Sequence, residues 1–174
     1  MNKLALIALT LLLFGFVSPE SDSMKIEDDM LAELNKARLD PPAYAEEILQ
    51  YMRDEELTKS QKLAGFAIAR QMKILKPMRP LEFNANLYAN CTVQAKRMYD
   101  KNKFIKAKRG YAENIVYGYP EVKHAVIQLL INAEDKKKES RNNILNRKFT
   151  QGACKYVEGK VQEEDFVFIQ AFDK

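Results

Sequence analysis

FTQGACKYVEGKVQEEDFVFIQAF, residues 149–172, is the stretch on which the fold turns. Its two ends, Phe149 to Val157 and Asp165 to Phe172, are rich in aromatic and β-branched residues, and a polar connector containing Gly159 lies between them. Runs of that length and composition read as strands, and their closeness in sequence predicts a terminal hairpin.

Upstream the pattern turns helical. Ile26, Met30, Leu31 and Leu34 recur at helical spacing between Met24 and Leu39. Asp40 and Pro41 stop that helix and start the next, Asp40 as N-cap and Pro41 at the first helical position, with Tyr44, Ala45, Ile48, Leu49 and Met52 along one face. Residues 58–76 read as a third helix, and Pro77 and Pro80 force an extended connector into Leu81. Asn84 is the expected cap of a central buried helix, Ala85 to about Asn102, with Leu87, Tyr88, Cys91, Ala95, Met98 and Tyr99 at spacings of three and four. AENIVYG, residues 112–118, reads as a short extended segment, and Pro120 opens a further helix through Val122, Val126, Ile127, Leu129 and Leu130. Helices ahead of a terminal hairpin predict an α+β or layered α/β/α domain.

At 174 residues the chain is sized for one domain, and with 47% hydrophobic residues it can bury enough apolar surface to fold alone. Lys3 followed by the uncharged apolar run Leu4 to Val17, then by Ser18, Pro19 and Glu20, has the profile of a signal peptide over residues 1–23. The run is too short to span a bilayer as a helix, so the expectation is export with no transmembrane span after cleavage, leaving one domain over residues 24–174. Cleavage would remove Lys3, Glu20 and Asp22 and leave 27 basic against 22 acidic residues, a net charge of +5. That mild excess permits attraction to anionic headgroups but is too diffuse for a nucleic-acid binder. Cys91 and Cys154 are an even pair that an oxidising compartment would join, or two small buried apolar side chains.

Five separated stretches, in order, resemble the CAP superfamily of cysteine-rich secretory, antigen 5 and pathogenesis-related proteins. They are LNKARLDPPAYA (Leu34 to Ala45), KPMRPLEFNANLYANC (Lys76 to Cys91), FIKAKRGYAENIVYG (Phe104 to Gly118), SRNNILNRKFTQGACKY (Ser140 to Tyr156) and FVFIQAFDK (Phe166 to Lys174). The resemblance implies an α/β/α sandwich, with a small antiparallel sheet between helical layers and a large surface cleft. In many members that cleft carries two histidines and two acidic residues able to bind a divalent metal.

Matched residue by residue, Glu113 keeps one acid, and both histidines are lost. Lys106 stands at the first position and Ser140, just before Arg141, at the second, while Asn132 and Glu134 compete for the other acid. Since imidazole gives zinc its affinity and an ammonium repels it, no metal and no cofactor are expected. An ion pair of Lys106 with Glu113 is the expected substitute, in a cleft lined by Lys106, Glu113, Asn114, Ser140 and Arg141.

The remaining candidates have plain readings beside the sharp ones. His124, the single histidine, lies at the polar start of a helix and reads as a surface residue without an acid–base partner. Ser140 reads as a helix cap rather than a nucleophile. Lys101, Lys103, Lys106, Lys108 and Arg109 either gather an anionic headgroup or form a solvated loop. The sequon Asn90, Cys91, Thr92 falls on the central helix, where glycosylation is disfavoured. The resulting expectation is a secreted, monomeric, non-catalytic binding module with a lipid, sterol-like or protein ligand and no nucleic acid. The rivals are a secreted hydrolase and a toxin-like or structural protein acting through its surface.

Overall fold

Along the chain the elements run α1 (Glu20–Leu39), α2 (Pro41–Asp54), α3 (Lys59–Met72), β1 (Glu82–Phe83), α4 (Ala85–Lys101), β2 (Ala112–Val116), α5 (Val122–Ile131), α6 (Glu139–Ile144), β3 (Gln151–Val157) and β4 (Val167–Asp173). This is a computed structural model, and it describes residues 20–107 and 110–174. Most of the expected signal peptide therefore lies outside the described residues. Among those described, no helix is long and apolar enough to cross a membrane.

The hairpin is formed as its pattern requires, with Gln151 opposite Asp173 and Val157 opposite Val167. β2 pairs antiparallel with the far edge of β4, so the sheet order is β1-β3-β4-β2. One edge departs from the antiparallel expectation: β1 runs parallel to β3. The prolines extend the chain there beside an open strand edge, and its amides are satisfied by pairing, Glu82 N–H to Thr150 O at 2.8 Å and Asn84 N–H to Gly152 O at 3.1 Å.

Strand alternation sorts the core into two halves. Cys154, Phe168 and Phe172 face a layer made from α1, α2, α3 and α5, where Met30, Leu34, Ile48, Ile68 and Ile127 are buried. Ala153, Val157, Val167, Ile169 and Ala171 face α4 through Leu87, Cys91, Ala95 and Met98. Helices thus cover both faces of the sheet, which is the α/β/α layering expected.

The same alternation bears on the two readings left open for Cys91 and Cys154. Both residues are buried free thiols. Cys91 packs from α4 against one face, whereas Cys154 leaves β3 on the other, beside Leu31 and Glu27 of α1.

Caps account for the helix starts. Asp40 Oδ1 accepts from Ala43 N–H at 3.1 Å with Pro41 at the first position. Asn84 Oδ1 accepts from Asn86 and Leu87 N–H at 2.9 and 3.0 Å. Thr58 and Gln61 make a reciprocal capping box at the head of α3. Pro120 does not occupy the first turn of α5; Glu121 stands at the cap in extended conformation and the helix begins at Val122.

Two buried polar clusters pin the layers together. Arg38 is fully buried, and its guanidinium donates to Arg79 O (3.1 Å), Ile144 O (2.6 Å), Asn146 O (3.1 Å) and Phe149 O (2.7 Å). Glu27, also buried, accepts from Lys155 Nζ (2.7 Å), Tyr88 Oη (2.8 Å) and Tyr156 N–H (3.1 Å). One side chain thereby joins α1, α4 and β3.

Candidate functional site

β2 is an edge strand, and its residues Glu113 and Asn114 sit opposite Ala171 and Gln170 of β4. Neighbours on a strand point to opposite faces, so this pair divides. Glu113 shares the face of Ala171, toward α4. Asn114 shares the face of Gln170, toward α6.

Glu113 Oε1 accepts from the Ala107 N–H at 3.0 Å. Its other oxygen, Oε2, is buried with no hydrogen-bond partner among the described residues. Burial raises the pKa of this carboxyl, against the opposing pull of the Ala107 amide and the Lys106 charge. Lys106 itself ends elsewhere. Its ammonium pairs with Glu139 Oε2 at 3.0 Å, both groups well exposed, in place of the expected pair with Glu113. A long flexible stem lets the ammonium choose a wetter carboxylate over a half-buried one.

On the other face the polar groups satisfy one another. The Asn114 amide nitrogen donates to Ser140 O and Gln170 Oε1, each at 3.3 Å, and Asn114 Oδ1 accepts from Asn143 Nδ2 at 2.9 Å. Asn143 Nδ2 also reaches Glu113 O at 3.3 Å. Ser140 lies inside the first turn of α6 and is not its cap, which is Lys138 in left-handed conformation. The turn is held instead by Asp135, whose carboxylate accepts from the Lys137 and Glu139 amides at 2.8 and 2.6 Å.

Arg141 turns away to the end of α5, donating to Leu130 O (2.7 Å) and Ile131 O (2.8 Å). Lys138 Nζ takes Asn132 O at 2.7 Å and Ala133 O at 3.3 Å. Two cations thus occupy the carbonyl end of one helix, where orphan acceptors and the negative end of the dipole favour them.

The two contenders for the second acid, Asn132 and Glu134, line one cleft of about 340 Å³ together with Gln61, Tyr117, Tyr119 and Gln128. None of Lys106, Glu113, Asn114, Ser140 and Arg141 lines that cleft or the three others described. Among the described residues no group of three His, Cys, Asp or Glu side chains is placed to hold a metal ion. His124 sits on α5, edge-on to Tyr51 with ring centroids 4.7 Å apart and 3.3 Å from Glu121 Oε2. Of the basic stretch, Lys101, Lys103 and Lys106 are exposed, and Lys108 and Arg109 lie outside the described residues.

Sequence reasoning missed Asn143 and Gln170, which complete the Asn114 network. Both lay inside motif-bearing stretches, and amide side chains at strand-facing positions were the available signal. Glu27 offered none, since its partner Lys155 is remote in sequence.

Comparison with known proteins follows the same outline. A family model described as CAP, cysteine-rich secretory protein family, matches residues 31–172. No curated protein matches the chain. The crystal structure of a cysteine-rich secretory protein from Staphylococcus aureus aligns at 15% identity and a TM-score of 0.42, over 66% of this chain and 37% of that one. The chain therefore spans little more than a third of that protein's length. With the family model covering the chain from within α1 to within β4, the protein belongs to the CAP, or cysteine-rich secretory protein, family.

Proposed function

We propose that this CAP-family chain is an exported, non-catalytic binding module that takes a lipid, sterol-like or protein ligand and works without metal or cofactor. The observation that supports this reading is what has become of the histidine-matched positions. One carries an ammonium paired to Glu139, and the other a serine whose backbone carbonyl is tied to Asn114. A cation at the first position repels a metal ion. Export is supported by Lys3 and the apolar run that follows it.

Peptidase assays with and without Zn²⁺, run beside titrations with a fluorescent sterol and a fluorescent fatty acid, test the reading. The expected result is no metal-dependent turnover, and saturable binding that the bulky substitution Glu134→Trp, in the cleft that Asn132 and Glu134 line, blocks. Zn²⁺-dependent cleavage abolished by Glu113→Gln would establish the hydrolase instead. Binding indifferent to every cleft substitution would move the function to the surface.

A further inference from the structure

The outer side of α3 carries features that neither the core nor the cleft uses. From Leu57 to Leu81 the chain has six cations, Lys59, Lys62, Arg70, Lys73, Lys76 and Arg79, and no Asp or Glu. Gly65, Ile68, Ala69 and Met72 fill the buried side of the helix. The opposite stripe, at steps of three and four, presents Leu63 (63% exposed) and Phe66 (58%), and Ile74 (83%) continues it into the following turn. Large apolar side chains so exposed, in register on one ridge, are not explained by packing.

The charge is concentrated at the C-terminal half. Arg70, Lys73 and Lys76 flank Ile74 in the sequence, and Arg147 is brought to the following turn by hydrogen bonds to the carbonyls of Lys76 and Pro77. Acidic neighbours are few: Glu46 of α2 pairs with Lys73 at 2.8 Å, and Asp54, Glu55 and Glu56 stand before the helix start. The other five cations of the segment have no carboxylate within 4.0 Å among the described residues. The apolar ridge lines none of the four clefts described.

We propose that this ridge docks the protein on an anionic lipid bilayer, with Leu63, Phe66 and Ile74 entering the interface and the surrounding cations meeting the headgroups. A helix with apolar side chains between snorkelling Lys and Arg residues is suited to lie in a membrane interface. A soft surface accepts such a ridge, and the excess of cations over carboxylates around it selects a negatively charged one. The inference stands apart from the cleft ligand proposed above, since it concerns a different face.

Co-sedimentation with vesicles of phosphatidylcholine alone, or mixed with phosphatidylglycerol, tests it. Three chains are compared: wild type, Lys62→Gln/Arg70→Gln and Phe66→Ser/Ile74→Ser. All the substituted side chains are exposed, and matching thermal melts confirm that each chain is folded. The apolar run Leu4 to Val17, where retained, is common to all three and cancels. Wild type is expected to bind the anionic vesicles, to ignore the neutral ones and to be released by salt. Each lost cation lowers partition about fivefold, and losing the two apolar side chains lowers it about tenfold or more. Equal binding to both vesicle types, no binding, or unchanged partition of either variant would overturn the proposal. So would sedimentation showing a dimer that Phe66→Ser dissolves, which would assign the ridge to a second copy.

Discussion

Replacing Arg38 by methionine probes the joint on which the helical layer and the C-terminal segments depend. The guanidinium reaches four backbone carbonyls, of Arg79, Ile144, Asn146 and Phe149, at 2.6 to 3.1 Å. Burial lowers its pKa, with the nearby Arg147 charge adding to the effect. Methionine keeps most of the volume and removes a desolvated charge, which offsets part of the loss. What remains is the cost of unpaired acceptors, about 1 to 3 kcal/mol each where water cannot reach them. The Ile144 carbonyl is the most deeply placed, in a residue with no exposed surface, whereas the loop carbonyls can relax toward solvent. The net loss is therefore about 3 kcal/mol, or a fall in Tm of about 6 to 12 °C for a chain of this size. Arg38→Lys keeps the charge but reaches one or two carbonyls, and loses roughly half as much. Urea denaturation followed by circular dichroism, with the slope checked for constancy, measures both variants. A methionine variant within about 0.5 kcal/mol of wild type would refute the convergence of these segments on one side chain.

Other outcomes follow from the same geometry. Both thiols are buried, and burial pushes Cys91 up to about 12 and Cys154 well above its ordinary value; native protein should resist iodoacetamide at mildly alkaline pH and react at two sites once unfolded, and a non-reducing mass two hydrogens short would contradict this. The raised pKa of Glu113 comes first from burial, so the native state holds that proton more tightly than the unfolded chain. Wild type then loses stability as pH rises through the carboxyl range to the raised native value, a loss absent from Glu113→Gln and, for a half-exposed group, below about 1 kcal/mol; a Gln variant less stable than wild type at neutral pH would count against the orphaned Oε2. A Cβ on Gly65 would meet Met52 Sδ, near the end of a flexible side chain, so the clash offsets alanine's better helix propensity and Gly65→Ala should stay within about 1 kcal/mol of wild type, whereas with Met52→Ala in the same chain the substitution should turn stabilising, as a double-mutant cycle of melts will show.

What was legible in the sequence was what is decided locally. Asp40 and Asn84 act through amides two or three residues away, and the strand state of β3 and β4 is written in their own aromatic and β-branched side chains. β1 was not legible, because two residues carry no period and owe their state to an edge supplied by residues 151 and 152. The cysteines show the limit most plainly. Their even number says nothing of the face from which each emerges, and only a register known to the residue separates Cys154 from Cys91. At the site, the family pattern located Lys106, Glu113 and Ser140, but not their partners. Lys106 passes over Glu113 for Glu139, a choice made by reach and hydration rather than by spacing.

The partner census at the site bears on what it can do. A reactive centre needs groups left underpartnered and aimed at substrate, since a donor or acceptor spent within the fold is unavailable to a transition state. Here Asn114, Asn143, Gln170 and the Ser140 carbonyl are tied to one another, and Arg141 and Lys138 are committed to the end of α5. Glu113 Oε2 is the buried side-chain polar atom without a partner among the described residues. That oxygen is buried on the α4 side of β2, and Glu113 lines none of the four clefts described. Hydrolysis would ask for a second group to activate water, and the Lys106 ammonium is paired outward with Glu139. Polar groups spent within the fold on one face of β2, and a buried acid on the other, are the observations behind the binding reading proposed above.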